Sequence, residues 1–379
     1  MNKSEKIKSK LLKIYKKNNP SKPTNLKKVL KINQDIIENK LKFPRKFFKN
    51  LTVGDIACGT GEFGIVAAKN GAKVTGYDYN NISINLANKN SKKLKLKNIN
   101  FLTKEFFQTK KKFDFIFCTA ALHHLPNPYT GLKHLIKMVK PNGFIFLSFG
   151  LDSSNLQHNL MKLIVRNWGN KDEDIFKASK LLFKEHINRC VKFGFRSEKS
   201  VIADQFINTQ HYYLNLNKTL RILNKKFDLH SCWPPIYIPK GDSGMNMFQN
   251  NLNNYVLPSE VLWSAKTNDD DKRIKKFEES LNKKNYIKLI AKLNNKTNLN
   301  LNKIIKMLKL NKNFDIKPDL SFGLNSHTDN FFKELQKTLL FFKRKPSIKK
   351  AKIFLDKTKY ILKGTRGVGL NYFIFKKKS

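Results

Sequence analysis

Between Val53 and Asn80 the chain reads VGDIACGTGEFGIVAAKNGAKVTGYDYN, and this run constrains the fold more than any other. Leu51 to Cys58 is apolar with one acid, Asp55, and predicts a strand. Gly59-Thr60-Gly61 is a tight turn, Phe63 to Lys69 has helical character, and Gly71 stops it. Lys73 to Tyr77 predicts a second short strand with Asp78 at its carboxyl end. Two strands joined through a helix form a right-handed crossover in a parallel sheet. Ligands bind outside the carboxyl ends of such strands. The glycines let the backbone approach a ligand closely, and the helix start offers N–H groups. Asp78 is placed to accept hydrogen bonds from ribose hydroxyls. The expectation is a site for a nucleoside-containing ligand.

Two ligands compete for it. Gly59, Gly61 and Gly64, with Asp78 about twenty residues on, spell the dinucleotide fingerprint. Asp55 argues against that reading, because an acid there repels a diphosphate and suits a cation. S-adenosylmethionine carries a sulfonium and an ammonium group. DIACGTG resembles the first motif of the class I S-adenosylmethionine-dependent methyltransferases, small-molecule type, where an acid precedes GxG by four positions. The resemblance continues in order. A third strand over Ile99 to Leu102 ends in Lys104-Glu105-Phe106. A fourth, Phe113 to Cys118, runs into TAALHHL. VKPNGFIFLS resembles LKPGG followed by an apolar strand, with Asn142 in place of a glycine that adopts a left-handed backbone. The likeness covers about residues 50 to 150.

The resemblance implies an α/β fold: a Rossmann-like, seven-stranded, mostly parallel sheet with an antiparallel last strand, plus helical cap insertions. It implies S-adenosyl-L-methionine as cofactor, with no metal. In its terms Asp55, Ala57, Cys58, Gly59 and Gly61 form the cofactor loop, and Asp78 and Tyr79 lie at the ribose. Glu105 would accept from the adenine amino group, Phe106 would pack on the ring, and Ala120 would lie along the methionine part. His123 and His124 sit where a general base would reach an acceptor hydroxyl, and histidine titrates near neutral pH. The competing reading is that these histidines only fix the loop.

Outside this core the pattern is mainly helical. Residues 1–50 read as an N-terminal helical extension, with Ile7, Leu11 and Ile14 on one face and a second helix from Asn25 to Leu41. The extension either packs on the core or covers the cofactor. Residues 51–150 form the cofactor-binding core, and 151–216 a helical cap with helices over Asn155–Arg166 and Asp172–Phe193. Residues 217–235 return to the core as a helix and a sixth strand, Leu229 to Trp233. Residues 236–366 read as a mainly helical insertion, including Lys272–Leu310, Phe331–Phe342 and Ile348–Leu362. Residues 367–379 give a last strand, Asn371 to Phe375, returning antiparallel to the sheet edge, and a basic tail. Asp204, His211, Tyr212 and Trp233 are the candidate acceptor-pocket residues, with core or turn packing as the competing reading.

Composition bears on the partner. The formal net charge is +47, and only eight of the 75 basic residues are arginine. Lys and Asn are enriched together along the whole chain, as codon bias in an AT-rich genome produces, whereas phosphate and base recognition favours Arg. A nucleic-acid acceptor is therefore the second reading. An adenine-N6 enzyme would show an [Asp/Asn/Ser]-Pro-Pro-aromatic motif after the fourth strand, where this chain has Thr119-Ala120-Ala121, and no cysteine follows a proline as a cytosine-C5 enzyme needs. A non-catalytic cofactor-binding or assembly protein is the third. The four cysteines form no CxxC pair, which argues against the usual zinc and disulfide frameworks and suits reduced, cytoplasmic thiols. No apolar run approaches a membrane span. The leading expectation is methyl transfer to the oxygen or nitrogen of a small molecule.

Overall fold

A computed structural model describes residues 3–18, 22–150, 156–208, 214, 216–233, 326–359 and 370–379. Seven strands form one sheet: β1 (Thr52–Ile56), β2 (Lys73–Asp78), β3 (Ile99–Thr103), β4 (Phe113–Thr119), β5 (Val139–Phe149), β6 (Phe227–Trp233) and β7 (Asn371–Lys377). Their order is β3-β2-β1-β4-β5-β7-β6. The first five run parallel, and β7 is antiparallel to both β5 and β6. This is the seven-stranded, mostly parallel, Rossmann-like sheet expected from the sequence. One detail corrects it: β7 is not at the edge but lies between β5 and β6. Phe373, Ile374 and Phe375 are all buried, so β7 needs cover on both faces. β6 alternates buried or partly buried residues with exposed Asp228 and His230, which suits an edge.

Helices cover both faces. α2 (Leu26–Asp35), α3 (Glu62–Lys69) and α4 (Asn81–Lys93) pack on one, against Val53, Val74, Phe115, Phe117, Phe144 and Phe146. α5 (Pro128–Met138) and α10 (Leu216–Leu223) pack on the other, against Ile116, Cys118, Ile145, Leu147 and Phe149. The period-two alternation in FIFC and FIFLSF thus feeds two cores. Asp114 ties the amino ends of three strands. Its carboxylate accepts from Thr52 N (2.8 Å), Thr52 Oγ1 and Lys140 Nζ (3.0 Å). Burial pushes the Asp114 carboxyl up, but these donors outweigh it and hold it below the usual range. Asn142 takes the left-handed backbone (φ 58°) that its place in VKPNG implied.

The cap gathers α6 (Leu156–Val165), α7 (Asp172–Leu182), α8 (Lys184–Gly194), α9 (Glu198–Ile202) and a π turn over Ala203–Ile207. α11 (Ser326–Lys343) and α12 (Ile348–Asp356) join its apolar core through Leu335, Leu339, Phe342, Ala351 and Leu355. The single helix expected over Asp172–Phe193 is two. Phe183 (φ −125°, ψ 32°) breaks it, closing α7 on Ser179 O while accepting Ile187 N–H to start α8. Its ring stacks on Phe206 at 5.8 Å, so the bend coincides with a buried aromatic contact. The helix expected over Lys272–Leu310 lies outside the described residues. α1 (Lys3–Asn18) buries Leu11 and Ile14 and packs against the Ala203–Ile207 turn. No helix among the described residues is long and apolar enough to cross a membrane.

Candidate functional site

A cavity of about 1010 Å³ opens at the carboxyl ends of β1, β2 and β4. Ala57, Cys58, Gly59, Asp78, Tyr79, Glu105, Phe106 and Ala120 line one side of it. α1 and the cap contribute the other, including Tyr15, His158, Arg189, Cys190, Arg196 and Asp204. Ala57 (φ 52°) and Ala120 (φ 50°) follow directly on β1 and β4 in the left-handed region. That conformation costs an L residue about 1–2 kcal/mol, and such strain concentrates at functional sites.

Asp78 organises the loop. Its carboxylate accepts from Gly59 N (2.9 Å) and from Asn80 N (2.8 Å). Burial pushes its carboxyl above the ordinary value, and those backbone bonds pull part of the way back. Glu62, the first residue of α3, also faces the cavity. Burial pushes its carboxyl up to about 7, against the hydrogen bond from Thr60 Oγ1. Sequence reasoning missed Glu62, although an acid in the first turn of a helix that follows GxG is a legible signal.

Two loop residues do not line the cavity. Asp55 is buried and its Oδ2 accepts Gly64 N–H at 2.8 Å, which braces β1 against α3. Desolvation raises its carboxyl to about 8. Gly61 caps α3 at φ 82°, and a side chain there would meet the Phe101 ring at 2.3 Å. Its absent Cβ makes room for Phe101. Glu105 lines the cavity and is held by Lys8 Nζ at 2.9 Å. Phe106 stacks on Phe107, centroids 4.3 Å apart, which presents an aromatic wall. Lys8, Leu11 and Tyr15 all line the cavity, so the N-terminal extension covers the site.

The acceptor-side residues divide. His123 and His124 line the cavity on the short turn after β4, with His123 buried. Burial, reinforced by the His124 charge, holds His123 well below the ordinary imidazole value. Asp204 is brought to the same end, where Arg196 Nη1 meets it at 3.0 Å. Burial pushes the Asp204 carboxyl up, but Arg196 and the two histidines outweigh it and bring it to about 2. Trp233 is not there. It packs on the sheet face that carries the aromatic core of β4 and β5, and Lys40 Nζ lies 5.0 Å from its ring centroid. His211 and Tyr212 lie outside the described residues.

Residues 47–188 match the family model described as a methyltransferase domain. The span takes in the loop, all of β1 to β5 and the first cap helices. This segment has the sequence pattern of a methyltransferase domain. A ubiquinone biosynthesis O-methyltransferase from Coxiella burnetii (strain Dugway 5J108-111) is 35% identical over 26% of this chain and 44% of that protein. One from Pelagibacter ubique (strain HTCC1062) is 32% identical over 31% of this chain and 50% of that protein. The chain thus spans about half the length of the curated relatives it matches. Among solved structures, the magnesium protoporphyrin IX methyltransferase (ChlM) from Synechocystis PCC 6803 with bound SAH aligns at 17% identity over 55% of this chain and 75% of that one, with a TM-score of 0.34.

The methyl donor of such a domain is S-adenosylmethionine, and the donor set of the cavity fits it. Asp78 supplies a carboxylate for hydroxyls, the Phe106–Phe107 pair a flat apolar wall for a base, and Glu62 a buried acid for a cationic end. Cys58 and Cys118 also line the cavity, and burial raises both thiols, which removes them as nucleophiles.

Proposed function

We propose that this protein transfers a methyl group from S-adenosylmethionine to an oxygen of a small-molecule acceptor seated between the sheet and the helical cap. The observation that carries this reading is the shared cavity. The cofactor loop and the cap line one space of about 1010 Å³, large for a single small ligand and roomy enough for donor and acceptor together. Oxygen is preferred over nitrogen because the matched relatives are named as O-methyltransferases and because His124, a titratable group, lines the cavity at the acceptor end.

When bound, the donor supplies an electrophilic methyl carbon on a sulfonium. The work of the protein is then alignment and exclusion of water. Asp78 holds hydroxyls while stiffening the Gly59 turn, and Phe106 packs on the base. Leu11 and Tyr15 close the cavity from α1. His124 takes the proton of the acceptor hydroxyl, and Glu62 neutralises positive charge on the donor. Calorimetry with S-adenosylhomocysteine and with NAD tests the cofactor, and affinity for NAD alone overturns the reading. Incubation with labelled S-adenosylmethionine and either a metabolite extract or total RNA tests the acceptor. Label in small molecules supports it; label confined to RNA overturns it.

A further inference from the structure

α1 covers the cavity and is tied down at both of its ends. Near the amino end, Lys8 Nζ donates to both carboxylate oxygens of Glu105, at 2.9 and 3.0 Å. Two turns on, Tyr15 Oη meets His124 Nε2 at 2.9 Å and Asp204 Oδ1 at 3.3 Å. Past Tyr15, Asn18 O accepts Ser200 Oγ at 2.9 Å. Lys8 and Tyr15 stand seven residues apart, so they share the helix face of Leu11, and all three line the cavity. One end of the helix thus grips the cofactor wall, and the other grips the acceptor wall.

Between these ties α1 is held lightly. Of its described side chains only Leu11 and Ile14 are buried. The helix carries seven lysines and one glutamate, and like charges at i,i+3 and i,i+4 repel. A helix of this length is marginal by itself in water, and an element with few buried contacts opens at low free energy. Lys8 and Glu105 are 39% and 36% exposed, and a pair so exposed contributes little while water surrounds it. Glu105 adjoins Phe106, whose ring stacks on Phe107. A base packed on that wall displaces water from the pair, and its attraction strengthens as the local dielectric falls. A carboxylate offers roughly four acceptor sites, so Glu105 can serve an amino group of the base and Lys8 together.

We propose that Lys8 is a positioning residue that joins donor binding to the docking of α1: it fixes the Glu105 carboxylate for the adenine amino group, and the seated adenine in turn holds Lys8 and its helix closed. This rests on the reading above that S-adenosylmethionine fills the cofactor half of the cavity. Linkage makes the effect reciprocal, so the factor by which the ligand favours closure is the factor by which closure favours the ligand. The same helix carries Tyr15 to the acceptor wall. Donor binding therefore also completes the acceptor half and shuts water out before transfer.

The test pairs amide hydrogen exchange over residues 3–18 with calorimetry on the full chain, using S-adenosylhomocysteine as the probe. The proteins are wild type, K8M, K8R, E105Q and K8M/E105Q. In wild type the ligand should slow exchange in α1 by about fivefold, the upper range for a part-exposed pair, and K8M should raise the dissociation constant by the same factor. K8M and E105Q should each lose the slowing, and the double variant should bind no more weakly than the weaker single one. K8R restores the charge and should keep both effects, which a merely structural role for the Lys8 stem would not predict. Slowing that persists in K8M, or losses that multiply in the double variant, overturns the proposal and leaves the proposed function standing. A wild type that binds no S-adenosylhomocysteine overturns both. K8R and E105Q separate a lost pair from a lost fold should K8M melt early.

Discussion

Asp78→Asn separates the ligand role of this carboxylate from its role in the loop. Asp78 accepts from two backbone donors, Gly59 N and Asn80 N. A carboxylate has roughly four acceptor sites, so about two remain for ribose hydroxyls. Asparagine keeps the shape but brings a single oxygen, and its NH₂ must face one of the two N–H groups. One loop bond is lost, and the ribose loses a charged acceptor. Each charge-assisted bond contributes about 1.5–3 kcal/mol, so the dissociation constant for S-adenosylhomocysteine should rise about tenfold to 150-fold. The fold should suffer less, because burial already raises the Asp78 carboxyl and the neutral side chain avoids that desolvation. Calorimetry at pH 7.5 paired with a thermal melt reads both. An unchanged affinity in a stably folded variant would refute the argument, since the ribose would then be held elsewhere.

Four further outcomes follow from the same geometry. Asp55 has its carboxyl raised from 3.8 to about 8, so its neutral form stabilises the fold fully at low pH, and that contribution is lost as pH climbs from about 4 to about 8. Asp55→Asn should therefore gain on wild type steadily over that window, by at most about 4 kcal/mol at pH 7, in urea unfolding at stepped pH. Ala120→Gly relieves a left-handed backbone at a half-buried methyl group, so it should be neutral or stabilising by up to about 1 kcal/mol, against the usual sign for this substitution. Gly61→Ala drives a Cβ into Phe101 at positive φ and should destabilise by about 2–5 kcal/mol in the same assay. Raising salt from 10 to 150 mM should strengthen S-adenosylmethionine binding relative to S-adenosylhomocysteine, as competition calorimetry would show.

The sheet and the cofactor half of the cavity were legible because local patterns write them. GTG sits between two short apolar strands, and Asp78 ends the second, so contact and sequence order coincide. Asp55 shows the limit of that logic. Its presence pointed to the right cofactor, yet its carboxylate serves Gly64 N, and no spacing rule tells a brace from a ligand contact. Phe183 breaks a helix by stacking on Phe206, and β7 slips inside the sheet because both of its faces are apolar. Both outcomes depend on partners far along the chain. Tyr15 is the sharpest case. On α1 it follows Leu11 and Ile14 at helical spacing and reads as more of the same apolar stripe. Its hydrogen bonds emerge only when residues 109 and 189 positions away are brought to its hydroxyl.

Charge joins these observations. The chain carries a formal +47, yet the cofactor half of the cavity buries Glu62 and Asp78, while Glu105 there is paired with Lys8. S-adenosylmethionine has a net positive charge, so the lysine-covered surface repels it while the cavity attracts it. The two fields differ in reach. Exposed lysines act through solvent and are screened within about 8 Å at physiological salt, whereas buried acids are screened far less. Burial raises Glu62 to about 7, which keeps it near the point of ionisation, and a cation arriving beside it pulls the proton off. The product, S-adenosylhomocysteine, lacks the sulfonium charge and leaves Glu62 free to take the proton back. Under the proposed function, a buried acid so placed beside the sulfonium would favour the cationic donor over its spent product.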